Sequence, residues 1–191
     1  MIFMFCSCVN TKTVSNADNP KQNKSTTMTN DKTKTPKPEI ITKKWLLAGF
    51  QAEVDVKDEH WPGMDYVQNA LNDVLGEIAN QTNPGWFVGM WQADPNADYD
   101  KPENRSKHLY FYGVEVSDMN GIPGNCIVKD LPEHRFAVFK NGQYSSGKYA
   151  WLNAAGYSPD RKFQKEHALD MDLFDDIYGR GSEWLVLIPI E

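Results

Sequence analysis

Apolar residues recur with two different periods along the first half of the chain. Residues 44–54, "KWLLAGFQAEV", are typical of a strand, whereas residues 64–81 carry apolar side chains three and four positions apart, which predicts a helix. Asn83-Pro84-Gly85 ends that helix, because proline disfavours helix in the preceding residue and glycine permits the turn. Two more strands are predicted, at residues 86–91, "WFVGMW", and at residues 108–118, "HLYFYGVEVSD".

The second half repeats this order of elements. A strand is predicted at residues 134–140, a helix at 143–156, and two further strands at 169–174 and 183–191. The common order of strand, helix, strand, strand indicates a duplication. We therefore predict an α+β fold with one antiparallel sheet, two flanking helices, and a central ligand cleft where the two halves meet at a pseudo-twofold axis.

The first 38 residues have a different composition from the rest of the chain. Beyond Cys8 they are almost entirely Thr, Asn, Lys, Ser, Asp, Gln and Pro. Such a segment has too little apolar surface to offset the entropy of ordering it. We predict a disordered polar tail over residues 1–38 and a single folded domain over residues 39–191.

The folded part is acidic. Residues 1–40 hold six of the 20 basic and three of the 26 acidic residues, which leaves 14 basic and 23 acidic residues, a formal net charge of −9, in the other 151. General binding to nucleic acid requires clustered Lys and Arg, so no nucleic-acid partner is predicted. A surface of this charge attracts cations instead.

The opening residues "MIFMFCSC" allow two interpretations of location. An apolar run that ends at Ser7-Cys8 before a polar linker is typical of a lipoprotein signal, but it is too short and lacks a basic start. Either the true start lies upstream and Cys8 carries a lipid anchor outside the cytoplasm, or translation begins at Met28 and the protein is cytoplasmic. A lipid on Cys8 is the one membrane contact that the sequence predicts.

Catalytic and metal-binding patterns are not found. The four histidines have no ligand spacing, Cys126 is the only cysteine in the predicted domain, and no nucleophile–base pair is evident. We therefore predict no metal, no cofactor and no catalytic residues, and we favour a binding protein over an enzyme.

Four short tracts together resemble a known family. They are "YFYGVEV", "LPEHRFAVFKNGQY", "LDMDLFDDIYG" and the closing "EWLVLIPIE", and the resemblance extends from Ile40 to Glu191. In this order and spacing they are similar to the GyrI-like small-molecule-binding domain, which also serves as the effector-binding domain of multidrug-sensing transcription regulators and of integron-associated proteins. The resemblance implies a twice-repeated strand-helix-strand-strand fold and a cleft that takes lipophilic, often cationic, molecules.

The sequence departs from the family in two respects. The family's acid in the penultimate strand is a glutamate, whereas "DMDLFDD" offers the shorter Asp172. No helix-turn-helix or basic recognition helix accompanies the domain, so we predict a sensor without a DNA-binding part.

Five ligand-binding residues are predicted, with Glu115 as the group that selects charge. Strand alternation places Glu115 with Phe111 and beside the space left by Gly113, and on the opposite face from Tyr112. Tyr112 is included from the resemblance, and a bulge or a strong curl at Gly113 would reconcile this with alternation. The aromatic and acidic surround is completed by Trp91, at a strand end, by Trp151, on the second helix, and by Asp172.

Three functions are consistent with these residues. The first is binding or sensing of lipophilic cations, because aromatic faces attract cations and a desolvated carboxylate selects charge. The second is hydrolysis of electrophilic cyclopropane-bearing toxins in the same pocket, with a carboxylate positioning water. The third is a protein-interaction module of the gyrase-inhibitor type, which an exposed apolar face would favour.

Overall fold

The computed structural model describes residues 37–58, 60–98, 100–140, 147–179 and 183–191. Within these ranges two short 3-10 turns, Leu75–Glu77 and Pro102–Asn104, accompany the main elements. The predicted tail and the Cys8 motif lie outside the described residues, apart from Lys37 and Pro38. The main elements, in chain order, are β1 (Glu39–Asp55), α1 (Pro62–Val74), β2 (Phe87–Ala93), β3 (Lys107–Glu115), β4 (Ile127–Lys140), α2 (Lys148–Ala154), α3 (Arg161–Glu166), β5 (Asp170–Phe174) and β6 (Trp184–Pro189).

The predicted α+β class and the repeated order of elements are confirmed. β1-α1-β2-β3 is followed by β4-α2-α3-β5-β6, and every strand pair is antiparallel. The six strands close into a barrel in the order β1-β3-β2-β5-β6-β4. The two halves therefore meet twice, at the β2–β5 pair and at the β1–β4 pair.

Closure of the sheet gives it an interior and an exterior face, and both bury apolar side chains. The interior is filled by alternate residues from all six strands, among them Leu47, Met90 and Phe111. Outside the barrel, one cluster packs beneath α1 around Leu71, and another packs beneath α2 around Leu152. No helix in the described part of the chain is long and apolar enough to cross a membrane.

The first helix is shorter than predicted. It ends at Val74 and is followed by the single 3-10 turn Leu75–Glu77, whereas the apolar pattern continues to residue 81. The Gln81 side chain donates hydrogen bonds to the carbonyl oxygens of Leu75 (3.0 Å) and Ile78 (3.1 Å). These bonds satisfy carbonyl groups that a continuing helix would otherwise pair, so the chain can turn toward β2.

The third helix was missed because its apolar pattern is too short to detect. It spans six residues, and the Asp160 side chain caps it by accepting hydrogen bonds from the backbone N–H groups of Lys162 (2.9 Å) and Phe163 (3.0 Å). The buried Phe163 ring belongs to the barrel-interior cluster. The helix therefore covers one end of the barrel.

Removal of this cap is expected to destabilise the domain. Asp160→Ala should lower the free energy of unfolding by about 1 kcal/mol in urea denaturation, the usual cost of losing an N-cap acceptor. Asp160→Asn keeps an acceptor oxygen and should retain most of the stability. Equal losses in both variants would instead assign the effect to the charge of Asp160, whose carboxylate lies 3.5 Å from His134 Nε2.

Candidate functional site

The β2–β5 pair, where the two halves meet, carries acidic and aromatic side chains on its outer face. Its register places Gly89 opposite Asp172 and Trp91 opposite Asp170. Strand alternation directs both aspartates and Trp91 outward, while their neighbours Val88 and Met171 enter the barrel. We call Trp91, Tyr110, Asp170, Asp172 and Trp184 the Asp172 cluster.

The carboxylate at the centre of this cluster is almost fully buried. Asp172 is 7% exposed, and its Oδ1 accepts a hydrogen bond from the indole N–H of Trp184 at 3.1 Å. Burial, followed by the charge of Asp170, raises the pKa of Asp172 from 3.8 to about 6, although hydrogen bonds from Trp184 and Trp91 and the charge of Lys148 oppose this rise. Asp172 is therefore largely ionised at neutral pH, at a cost in stability.

The second aspartate already has a cationic partner. The Lys148 ammonium, at the start of α2, forms an ion pair with Asp170 Oδ2, and the Tyr149 hydroxyl donates to the same oxygen at 3.3 Å. No described residue forms an ion pair with Asp172. Asp172 is thus the carboxylate of the cluster that no described cation contacts directly, although the charge of Lys148 acts on it from a distance.

Aromatic rings enclose the two carboxylates. The Trp91 ring lies 4.7 Å from Tyr110 and 6.1 Å from Trp61, centroid to centroid, and Phe174 lies 5.6 Å from Trp184. Trp61 and Trp184 are 41% and 37% exposed, so rings at this site reach solvent. Partly exposed aromatic surface therefore lies next to a buried negative charge.

Tyr110 depends on a glycine in the neighbouring strand. A Cβ on Gly89 would lie 2.3 Å from the Tyr110 hydroxyl oxygen, so only glycine lets this ring lie across β2. The hydroxyl is buried and has no hydrogen-bond partner among the described residues. Burial raises the pKa of Tyr110 well above 10, and the nearby charge of Asp172 adds to this rise. Tyr110 therefore offers a neutral hydroxyl group.

Three of the five predicted ligand-binding residues lie on this face. Asp172 and Trp91 belong to the cluster itself, and Tyr112 stacks on Tyr110 at 6.2 Å with its hydroxyl donating to the Asp176 carbonyl oxygen at 3.3 Å. Trp151 belongs to α2, and its ring lies 5.4 Å from that of Phe139, centroid to centroid, in the apolar cluster beneath that helix.

Glu115 lies away from Tyr112, at one mouth of the barrel interior. It accepts hydrogen bonds from Lys43 Nζ (2.9 Å) and Asn83 Nδ2 (2.7 Å). The β1–β3 register continues through Gly113 without a shift, so no bulge interrupts the strand there. Strand alternation therefore holds, and Glu115 and Tyr112 face opposite sides of the sheet.

The predicted open space beside Gly113 is wrong. A Cβ at this position would lie 2.3 Å from the carbonyl oxygen of Ala48 and 2.7 Å from Cζ of Phe111. Glycine is required here because β1 and the Phe111 ring approach the β3 backbone closely. The space next to Glu115 is not created by Gly113; it lies between side chains of other strands.

Asp170, Tyr110 and Trp184 also belong to the cluster but were not among the residues predicted from the sequence. Alternation in β5 places Asp170 and Asp172 on one face but does not determine whether that face meets solvent or protein. In the barrel the opposite, apolar face points inward, and the aspartates are buried outside it. The alternation of "LDMDLF" itself gave a usable signal, since it placed Asp170 and Asp172 on one face with Phe174.

No metal site accompanies the cluster. In the part of the chain that the structure describes, no group of three or more His, Cys, Asp or Glu residues could hold a metal ion.

Comparison with known proteins finds solved structures but no sequence match. No family model and no curated protein matches the chain. Three matching structures are SAV2435 bound to tetraphenylphosphonium (10% identity, TM-score 0.47, 82% of this chain and 94% of that one), the EcmrR C-terminal domain (16%, 0.48, 81% and 98%) and an integron cassette protein of Vibrio cholerae (9%, 0.45, 81% and 96%). The likeness is one of fold alone.

Proposed function

We propose that this domain binds lipophilic cationic small molecules at the Asp172 cluster. The observation that carries the proposal is the Asp172 carboxylate, which is buried among aromatic rings and is paired with no described cation. The GyrI-like resemblance of the sequence supports the same function, that of a binding or sensing domain.

The chemistry of the cluster favours a lipophilic cation over a neutral or anionic ligand. Each aromatic face contributes about 0.5–2 kcal/mol to a cation that it contacts. A carboxylate held away from water attracts a positive charge more strongly than one in water, because the local dielectric constant is lower. Neutral indole donors hold Asp172 in place without cancelling its charge.

Binding of a cationic probe should depend on pH in a defined direction. Tetraphenylphosphonium, the cation bound in one of the matched structures, is a suitable probe. Because Asp172 ionises near pH 6, calorimetric affinity should fall about tenfold from pH 7 to pH 5, where about a tenth of the carboxyl groups remain charged. Neutral triphenylphosphine oxide, which lacks the positive charge, should lose no affinity over this range. Equal pH dependence for both probes, or no binding of the cation, would contradict the proposal.

Mass spectrometry of the compounds recovered after incubation distinguishes the three functions: ligand binding, turnover and protein interaction. Incubation of the purified domain with dyes, quaternary amines and cyclopropane-bearing toxins, followed by mass spectrometry, scores both retention and conversion. Retention of unchanged cations supports a binding protein. Conversion that is lost in Asp172→Asn would support the hydrolase instead, and the absence of both would favour the protein-interaction module.

A further inference from the structure

A separate cavity opens at one mouth of the barrel, on the opposite face of the sheet from the Asp172 cluster. We call it the Glu115 cavity. It has a volume of about 180 Å³, and its walls include Trp45, Val88, Leu173 and Leu185, with Lys43 and Glu115 beside them. An apolar cavity of about 150 Å³ is large enough to bind benzene. The Glu115 cavity can therefore hold one aromatic ring.

The Lys43 ammonium already makes, within this cavity, the contacts that an external cation would make. Its Nζ lies 2.9 Å from Glu115 Oε2 and 3.8 Å from the centroid of the Trp45 ring. The carboxylate and the aromatic face are the two elements of an ammonium-binding site. The protein thus fills this site with one of its own side chains.

Lys43 can leave the site at low cost. Its side chain is 32% exposed, against 13% for Glu115, and a lysine stem can turn its ammonium into water. An incoming ammonium would restore both the ion pair and the contact with Trp45. A ring attached to that ammonium would also fill the apolar volume that remains beside the Lys43 stem, and burial of that ring decides the exchange in favour of the ligand.

We propose that the Glu115 cavity is a second binding site, for primary ammonium compounds that carry a single apolar ring and that displace Lys43 from Glu115 and Trp45. This inference does not depend on the function proposed for the Asp172 cluster. In this site, which is separate from the Asp172 cluster, Glu115 is the group that selects charge.

Removal of the Lys43 ammonium, which competes with the ligand, should strengthen ligand binding. Loss of a residue that lines a binding site usually weakens binding instead. In isothermal titration calorimetry with 2-phenylethylammonium, we expect Lys43→Ala to bind about 5- to 30-fold more tightly than the wild-type domain, the range given by one partly exposed ion pair and one cation–π contact. Lys44→Ala is the matched control, because Lys44 pairs with the exposed Asp130 instead. It should change affinity less than about twofold, the usual scale for surface substitutions.

The role of Glu115 is best measured where Lys43 no longer competes for it. Lys43→Ala/Glu115→Gln should bind 2-phenylethylammonium about tenfold more weakly than Lys43→Ala, since a hydrogen-bonded charge pair is lost. Neutral 2-phenylethanol should bind the two variants equally. Lys43→Gln, which retains most of the stem, should strengthen binding in the same direction if Lys43→Ala folds poorly.

Two results would overturn the inference: an unchanged affinity in both Lys43 variants, or a gain that persists after Glu115→Gln. Asp172→Asn distinguishes this site from the one proposed above. It should leave the affinity for 2-phenylethylammonium unchanged while it weakens the binding of tetraphenylphosphonium. If Asp172→Asn leaves the affinity for tetraphenylphosphonium unchanged as well, the function proposed for the Asp172 cluster is contradicted, whereas the inference about the Glu115 cavity is not.

Discussion

Asp172→Asn is expected to weaken the binding of tetraphenylphosphonium ten- to hundredfold at pH 7.5. The substitution keeps the size of the side chain and an oxygen that can accept the Trp184 hydrogen bond, but it removes the charge. Tetraphenylphosphonium has no hydrogen-bond donor, so the lost interaction is Coulombic. Opposite unit charges about 6–8 Å apart attract by about 2–3 kcal/mol at an effective dielectric constant of about 20, which lies within this range of affinity. Isothermal titration calorimetry at fixed ionic strength measures it directly.

Glu115→Gln is the informative companion variant, because the sequence alone favoured Glu115 as the group that selects charge. Glu115 is held by Lys43 and Asn83 on the other face of the sheet, so we expect tetraphenylphosphonium to bind Glu115→Gln as it binds the wild type. Neutral triphenylphosphine oxide should lose no affinity in either variant. If Glu115→Gln loses affinity for the cation and Asp172→Asn does not, the Asp172 cluster is the wrong site.

The same Asp172→Asn variant is expected to be more stable than the wild type at neutral pH, by up to about 3 kcal/mol. In the folded protein the pKa of Asp172 is about 6, against 3.8 for the unperturbed group, and each unit of difference corresponds to about 1.4 kcal/mol. The folded state therefore binds more protons than the unfolded state between these two values. Stability must fall as the pH rises from about 4 to 6, and it remains lowered above that range.

Denaturation in urea at several pH values would measure this effect. The difference in unfolding free energy between Asp172→Asn and the wild type should be about 0.5 kcal/mol at pH 4 and should approach about 3 kcal/mol by pH 7. Asp98→Asn, at an exposed carboxylate that pairs with Lys101, is a suitable control and should show no such trend. A constant difference across the pH range would mean that burial does not shift the ionisation of Asp172. Together, the two effects of Asp172→Asn describe a site that gains ligand affinity at the expense of stability.

The order of the elements could be read from the sequence because it depends on local periodicity. Alternation in "WFVGMW" and "YFYGVEV" and helical spacing after Met64 are fixed by bonding within a few residues. The six predicted strands and the first two helices are present, and their repeated order indicated an α+β fold with two related halves. Elements whose sequence pattern is short and weak were not predicted, and the six-residue helix α3 is an example.

The surroundings of each charged residue were decided only by the tertiary structure. The strands form a closed barrel because β1 pairs with β4 as well as β3, a contact between distant parts of the chain that no local pattern specifies. Closure buries both faces of β5, so Asp172 lies among aromatic rings although alternation alone allowed a solvated residue. Glu115 likewise finds its partner in Lys43, 72 residues earlier in the sequence. The sequence by itself determined which acids and aromatics share a face of a strand, since that depends on the period of two; pairing between distant strands determined whether that face meets water, a helix or the barrel interior.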